Sequence, residues 1–274
     1  MIDPNCPLCG GQDFVEFAVV EGSDDYLDLL SIPYEGLKRQ WLRCSECSHL
    51  SNSVRLDEVE IARLYSLFRD SAFRNELPDD YFDRITTLPA SRSENYQKLT
   101  YLTSKVDCQS GTTKTMLDIG CGGGVLMHTA KQVIGNEWKF SGVEPTVSFA
   151  ELAARRTGAR VYAGDYRSGL FGEERFGLVT CCAVLEHVLH PKRFLEMIRE
   201  DLLGGGWLFL EVPDVSEFAD LPMTHDHFMC QHISFFSRQT LVKLLDAAGF
   251  DCVDVAVVVT LRGHRTLRCI AQAM

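Results

Sequence analysis

The segment Leu117-Asp118-Ile119-Gly120-Cys121-Gly122-Gly123-Gly124-Val125-Leu126 passes from an apolar strand into an amphipathic run through a glycine-rich turn. Glycines at 120, 122 and 124 let the backbone approach a ligand closely, and the helix that follows aims free N–H groups at it. The spacing is Gly-x-Gly-x-Gly. A dinucleotide loop, Gly-x-Gly-x-x-Gly, needs glycine at position 125, which is Val125. A tight strand-to-helix turn asks for the same glycines, so the flanking sequence has to decide.

Outward from this loop, short apolar runs alternate with amphipathic ones. Strands are predicted at 115–119, 139–143, 160–162, 178–181, 207–212, 252–260 and 266–271. Helical stretches separate the first five, the signature of parallel crossover units. Only Arg262-Gly-His-Arg265 joins the last two, which are therefore expected as an antiparallel hairpin at the sheet edge. The second strand ends in Gly-Val-Glu144-Pro145, where a carboxylate can accept from both hydroxyls of a ribose. The third ends in Ala-Gly-Asp165-Tyr166, where Asp165 can accept from an adenine amino group. Each acid taken alone is equally a turn or cap residue. Together, Asp118, Glu144 and Asp165 at successive strand ends would repel a pyrophosphate and suit a cationic adenosine derivative without phosphate.

In this order, the glycine loop, Val-Glu-Pro, Ala-Gly-Asp and Leu178-Val-Thr-Cys-Cys-Ala-Val-Leu-Glu-His-Val188 resemble the class I S-adenosylmethionine-dependent methyltransferases over about residues 90–274. The resemblance implies an α/β fold with a seven-stranded, mostly parallel Rossmann-like sheet of order 3-2-1-4-5-7-6, and S-adenosylmethionine as cofactor. By matching motif, Gly120, Cys121, Gly122 and Gly124, with Asp118 before them, surround the methionine part. Glu144 and Pro145 meet the ribose, Asp165 and Tyr166 the adenine, and Cys181 and Cys182 lie beside the sulfonium. Arg92, upstream of the first strand, is a further candidate for the cofactor carboxylate.

The amino-terminal end carries Cys6-Pro-Leu-Cys9 and Cys44-Ser-Glu-Cys47. Two thiolates three residues apart grip one side of a tetrahedral ion and a second pair closes the other, the pattern of a structural zinc with no open position. The 34-residue gap between the pairs calls for a hairpin or insertion, placed around Asp25-Tyr-Leu-Asp-Leu-Leu-Ser-Ile-Pro-Tyr34. His49, after a complete ligand set, reads as a surface residue. Three segments are expected: a zinc ribbon at 1–55, a helical linker or substrate cover at 56–110 and an S-adenosylmethionine-binding domain at 111–274. In the middle segment Ser93 starts a helix. Tyr65, Phe68, Phe73, Tyr81 and Phe82 form an aromatic cluster that reads either as acceptor pocket or as interdomain core.

Composition bounds the partners. The 274 residues are 46% hydrophobic and 24% charged, with a formal charge of -11, which excludes wholesale disorder and opposes attraction to long nucleic acid or an anionic membrane. Residues 1–50 hold nine acidic and three basic side chains, the wrong sign for a ribbon that grips phosphates. No apolar run approaches the roughly 20 residues of a membrane span. The 11 cysteines, an odd number with no readable secretory leader, point to a reducing, cytoplasmic setting.

A neutral hydroxyl acceptor also requires a base. Glu186 and His187 follow the fourth strand, and His225, His227 and His232 follow the fifth. The Leu-Glu-His segment resembles that of ubiquinone-pathway O-methyltransferases, some of which bind a divalent ion through Glu-x-x-Glu-His. Here the first acid position is Ala183, which argues against a catalytic metal. Gln231-His-Ile-Ser-Phe-Phe-Ser237, with the cysteine pairs, is similar to the zinc-ribbon methyltransferases of sugar and natural-product pathways. Gln231 and Met229 depart from the Glu and Tyr of the sugar C-methyltransferases in that group. His232 is the leading base, His227 a second, and His187 reads either as catalytic or as a structural histidine. The expected reaction is methyl transfer to a small molecule, foremost to oxygen of a sugar or natural-product intermediate. An RNA base methyltransferase and a non-catalytic cofactor-binding module are the alternatives.

Overall fold

The computed structural model describes residues 5–22, 24–32, 38–53, 56–68, 75–109 and 113–274, without the side chains of Phe68 and Glu217. The Gly-rich loop sits at the centre of a seven-stranded sheet. Its strands are β4 (Thr115–Ile119), β5 (Lys139–Glu144), β6 (Arg160–Ala163), β7 (Phe176–Cys182), β8 (Leu202–Pro213), β10 (Phe250–Val259) and β11 (Arg265–Ala273). They lie in the order β10-β11-β8-β7-β4-β5-β6, which is the expected 3-2-1-4-5-7-6 read from the other edge. Pairings from β6 across to β8 are parallel, and β11 runs antiparallel to both β8 and β10.

Alternation along the central strands assigns each side chain to one of two cores. Leu117, Ile119, Val179, Leu208 and Leu210 face α7 (Pro191–Asp201) and α8 (Arg238–Ala247), meeting Leu195, Ile198, Leu241 and Leu244. Met116, Leu178, Phe209 and Ile270 face the other way, against Leu99 and Leu102 of α4 (Glu94–Thr103) and Leu126, Met127 and Ala130 of α5 (Val125–Val133). Each fully buried leucine contributes about 1.5–3 kcal/mol, so both layers hold the loop between β4 and α5 in place. The fifth strand begins earlier than expected: α7 runs straight into it, and Gly204 to Gly206 form an irregular stretch where the β7–β8 register shifts.

The expected insertion between the cysteine pairs is a hairpin, β1 (Phe14–Glu21) and β2 (Lys38–Cys44), carrying α1 (Asp25–Leu30). Pro33 and Tyr34 lie outside the described residues. A second sheet has the order β1-β2-β3-β9, with β3 at Leu50–Asn52 and β9 at Ser234–Phe235. Its last strand therefore comes from the carboxy-terminal part of the chain, across the boundary expected near residue 55. Trp41, Leu50, Phe218, Phe228 and Phe235 form its core. His49, read as a surface residue, is fully buried instead: β9 pairs beside it, its Nε2 lies 3.2 Å from Ser234 Oγ, and its ring packs on Phe236.

The middle segment is helical as expected. It contains α2 (Glu58–Phe68), α3 (Pro78–Thr86), a 3-10 turn over Ala90–Arg92, and α4. Ser93 caps α4 by accepting from Tyr96 N–H. α3 was not anticipated, although Pro78 in its first turn is a start signal. The aromatic cluster divides. Phe82 is buried against the His128 ring, Tyr81 packs on Phe149, and Tyr65 meets His187. Phe73 and the side chain of Phe68 lie outside the described residues.

Candidate functional site

A cleft opens at the carboxyl ends of β4, β5 and β7, where an open parallel sheet receives ligands. Its two lobes, of about 630 and 690 Å³, share Gly120, Ala183 and Arg262 as walls. Gly120 has φ +72°, and a Cβ there would meet Val184 Cγ2 at 2.4 Å. The chain can cross the cleft floor at this point only without a side chain. Gly124, with φ +83°, caps α5 and lies against Ala153, so the helix N-terminus is held close to the neighbouring helix.

Glu144 ends β5 almost fully buried. Its Oε2 accepts from Gly122 N–H at 2.9 Å and its Oε1 from Thr146 N–H at 3.0 Å. These bonds lock the carboxylate to the glycine loop. Asp118 is buried in β4, accepting from Thr180 Oγ1 at 2.7 Å; burial pushes its carboxyl up to about 7. Asp165 is exposed on the second lobe. Tyr166 borders the same lobe, with its hydroxyl committed to Met197 carbonyl and Asp201.

Pro145 borders the second lobe, and Arg92 and Cys182 the first. Cys181, the preceding residue of β7, turns the other way into the core and does not border the cleft. Cys121 follows Gly120 in the loop and borders the first lobe as well, with its thiol packed against Gly142.

The histidines separate on inspection of their positions. His187 borders the second lobe, in the turn after β7. Its Nδ1 donates to the Gln231 carbonyl at 2.9 Å, and its Nε2 lies 4.0 Å from Glu186 Oε1. His232 stacks behind it at 4.8 Å, borders neither lobe, and bonds through Nδ1 to the His227 carbonyl at 3.0 Å. Burial holds His232 well below the usual imidazole range and His227 at about 4. Both rings are therefore neutral near pH 7. His227 packs on Phe218, farther from the cleft. Glu186, buried beside His187, is pushed up to about 8 by desolvation. His232, the leading base on sequence grounds, thus lies behind His187, which forms the cleft wall.

The family model described as a methyltransferase domain matches residues 73–255. The chain belongs to this methyltransferase family. A ubiquinone biosynthesis O-methyltransferase from Hydrogenovibrio crunogenus is 29% identical over 199 residues, covering 65% of this chain and 80% of that protein. The enzyme of the same name from Idiomarina loihiensis is 25% identical, over 76% and 84%. Among solved structures, magnesium protoporphyrin IX methyltransferase from Synechocystis has a TM-score of 0.55 at 12% identity, covering 80% of this chain and all of that one. An S-adenosylmethionine-dependent methyltransferase from Clostridium acetobutylicum has a TM-score of 0.54 at 12% identity, over 71% and 98%. These two establish the fold.

The methyltransferase cleft fits its cofactor on chemical grounds. A side-chain-free floor at Gly120, two buried carboxyls and an exposed third suit a cationic adenosine derivative and oppose a pyrophosphate. Two cleft residues escaped the sequence reading. Lys98, half-buried on α4, pairs with Glu211 at 2.8 Å, while Arg268 bonds the other oxygen of Glu211 at 2.7 Å. Arg262, on the β10–β11 turn, borders both lobes. Neither belongs to a local motif, since long-range packing alone brings them to the cleft. Ala183, at the lobe junction, has φ +54°, a strained value for a residue with a Cβ.

At the other end of the methyltransferase, Cys6 and Cys47 sulfurs are 3.6 Å apart, as are those of Cys9 and Cys44. All four lie within 4.8 Å of one another. A zinc tetrahedron with bonds of about 2.3 Å has edges of about 3.8 Å, so the four sulfurs fit one ion.

Proposed function

We propose that this methyltransferase acts on a hydroxyl oxygen of a small molecule, a sugar or natural-product intermediate being the expected class, with His187 as the base. The observation that carries the reading is an imidazole held by the Gln231 carbonyl on the wall of the lobe that Glu144 and Asp165 also border. The relatives named as O-methyltransferases support oxygen as the attacking atom. Glu144 would hold the ribose diol, Asp165 the adenine amino group, and the Gly120–Gly124 loop, with Asp118 and Arg92 nearby, the methionine part. S-adenosylmethionine supplies an already activated methyl group when bound. The protein's task is then to align an in-line attack, exclude water and remove one proton. His187 Nε2 takes the hydroxyl proton while Gln231 carbonyl holds the opposite edge of the ring. His232, stacked behind, fixes the ring plane. The four ribbon thiolates would hold one structural zinc, and the cysteine usage supports a cytoplasmic enzyme. The acidic ribbon opposes long RNA as acceptor.

Methyl transfer from labelled cofactor to metabolite pools, followed by mass spectrometry of the products, tests the acceptor class. Label recovered on bulk RNA or on carbon would overturn it. His187→Ala should slow turnover by roughly 10²-fold with cofactor affinity retained. Glu144→Ala should weaken cofactor binding by ~2–3 kcal/mol in calorimetry. Normal turnover in the first variant, or unchanged affinity in the second, removes that residue from its role.

A further inference from the structure

The loop between β8 and β9 faces the β10–β11 turn, and three histidines meet between them. The rings of His225 and His227 are 4.6 Å apart, and His264 lies 5.3 Å from the first and 5.7 Å from the second. Imidazoles that share one ion through bonds of about 2.0 Å have ring centres on the order of 5 Å apart. Asp226 stands among them, with Oδ1 2.8 Å from His225 Nδ1 and 3.9 Å from His227 Nδ1. The ligand atoms of His225, Asp226 and His227 lie within 4.8 Å of one another.

One observation points to a ligand at this cluster. His227 is 8% exposed, and neither of its ring nitrogens has a hydrogen-bond partner. A buried imidazole pays heavily for that unless something else meets its lone pair. His225 Nδ1, in turn, lies 3.2 Å from the backbone N–H of His227.

We propose that His225, Asp226 and His227, completed by His264 from the facing turn, form a binding site for a divalent transition-metal ion of the zinc class. Imidazole nitrogens with one carboxylate are the donor set such ions favour over magnesium or calcium. His264 is partly exposed, and its ring, 5.3 Å from that of His225, would have to turn to supply the fourth ligand. The ion would staple the β10–β11 turn, which carries Arg262 to the cleft, onto the loop that carries Gln231, whose carbonyl meets His187. It is separate from the cysteine cluster and from the proposed base, so it does not depend on the identity of the acceptor.

Zinc titration of the full chain by calorimetry, with metal content measured after dialysis, tests the site. Wild type should bind a second zinc beyond the one the cysteines account for. His225→Gln and His227→Gln should abolish that second binding event, and His264→Gln should weaken it by more than roughly 10-fold. Cobalt at the second site should show visible d–d bands without the near-ultraviolet thiolate bands of the cysteine site. Those thiolate bands also report that each variant is folded. Because His225 and His264 are partly exposed, their variants remain informative if His227→Gln fails to fold. A single binding event in wild type overturns the proposal. So does a second event that survives these substitutions and disappears in Glu186→Gln, which would place the ion on Glu186, His187 and His232. An unchanged affinity in His264→Gln overturns the four-ligand assignment.

Discussion

Asp118 shows how one residue can tie charge to ligand choice. Its carboxyl is held at about 7 mainly by burial, opposed by the Thr180 hydroxyl and Lys98. A carboxyl raised above its unfolded value supports the fold fully below that value, and the support is lost as pH rises through about 7. A sulfonium in the cleft reverses this preference, because it favours the ionised form. Affinity for S-adenosylmethionine should therefore strengthen from about pH 6 to about pH 8 by more than that for S-adenosylhomocysteine, which shares the amino-acid part but lacks the positive sulfur. Calorimetry of both ligands across that range checks it. In Asp118→Asn the difference between the two ligands should lose its pH dependence. A wild-type difference that is already flat would remove Asp118 from the electrostatics of the site.

Among the elements, α1 and α4 begin alike but differ in what their caps hold. Ser93 does one thing, accepting from Tyr96 N–H at the start of α4. Ser93→Ala should cost ~1 kcal/mol in urea denaturation. Asp24 caps α1 through Tyr26 and Leu27 N–H, pairs with the buried guanidinium of Arg39, and accepts from Cys230 N–H. Arg39 is 1% exposed and also donates to the Phe228 carbonyl. Asp24→Ala strands a buried positive charge, and should cost ~3–5 kcal/mol in the same measurement. Equal losses in the two variants would show that the Arg39 pair is not the joint between α1 and the loop that precedes His232.

At the scale of the molecule, the ribbon and the cleft are mechanically connected. Cys47 leads through His49 into β3, β3 pairs with β9, and the residues just before β9 are Gln231 and His232. Asn52 N–H also donates to the Ile233 carbonyl, and Ile233 N–H to the Glu186 carbonyl. Removing the proposed ribbon zinc with a chelator should thus lower thermal stability and methyl transfer together, although Cys6, Cys9, Cys44 and Cys47 do not line the cleft. Restoring zinc should recover both. Full activity in chelated protein with a lowered melting temperature would uncouple the ribbon from the proposed base, His187.

What was legible in the chain is what local spacing encodes. The Gly120–Gly124 loop, the acids at the ends of β4 and β5, the two Cys-x-x-Cys turns and the closing hairpin each express a constraint felt within a few residues. The alternation of apolar runs then left few topologies open, and the strand order followed. The features that escaped, or came out differently, all depend on contacts between distant segments. His187 rather than His232 reaches the cleft wall, because one histidine must pack behind the other. Lys98 and Arg262 enter the cleft from outside the motifs, and His49 is buried because β9 crosses to the ribbon. Periodicity and spacing report which face of an element is apolar and where the backbone must bend. They carry no information on which two buried faces meet, since that choice is made by packing and polar satisfaction across the whole chain.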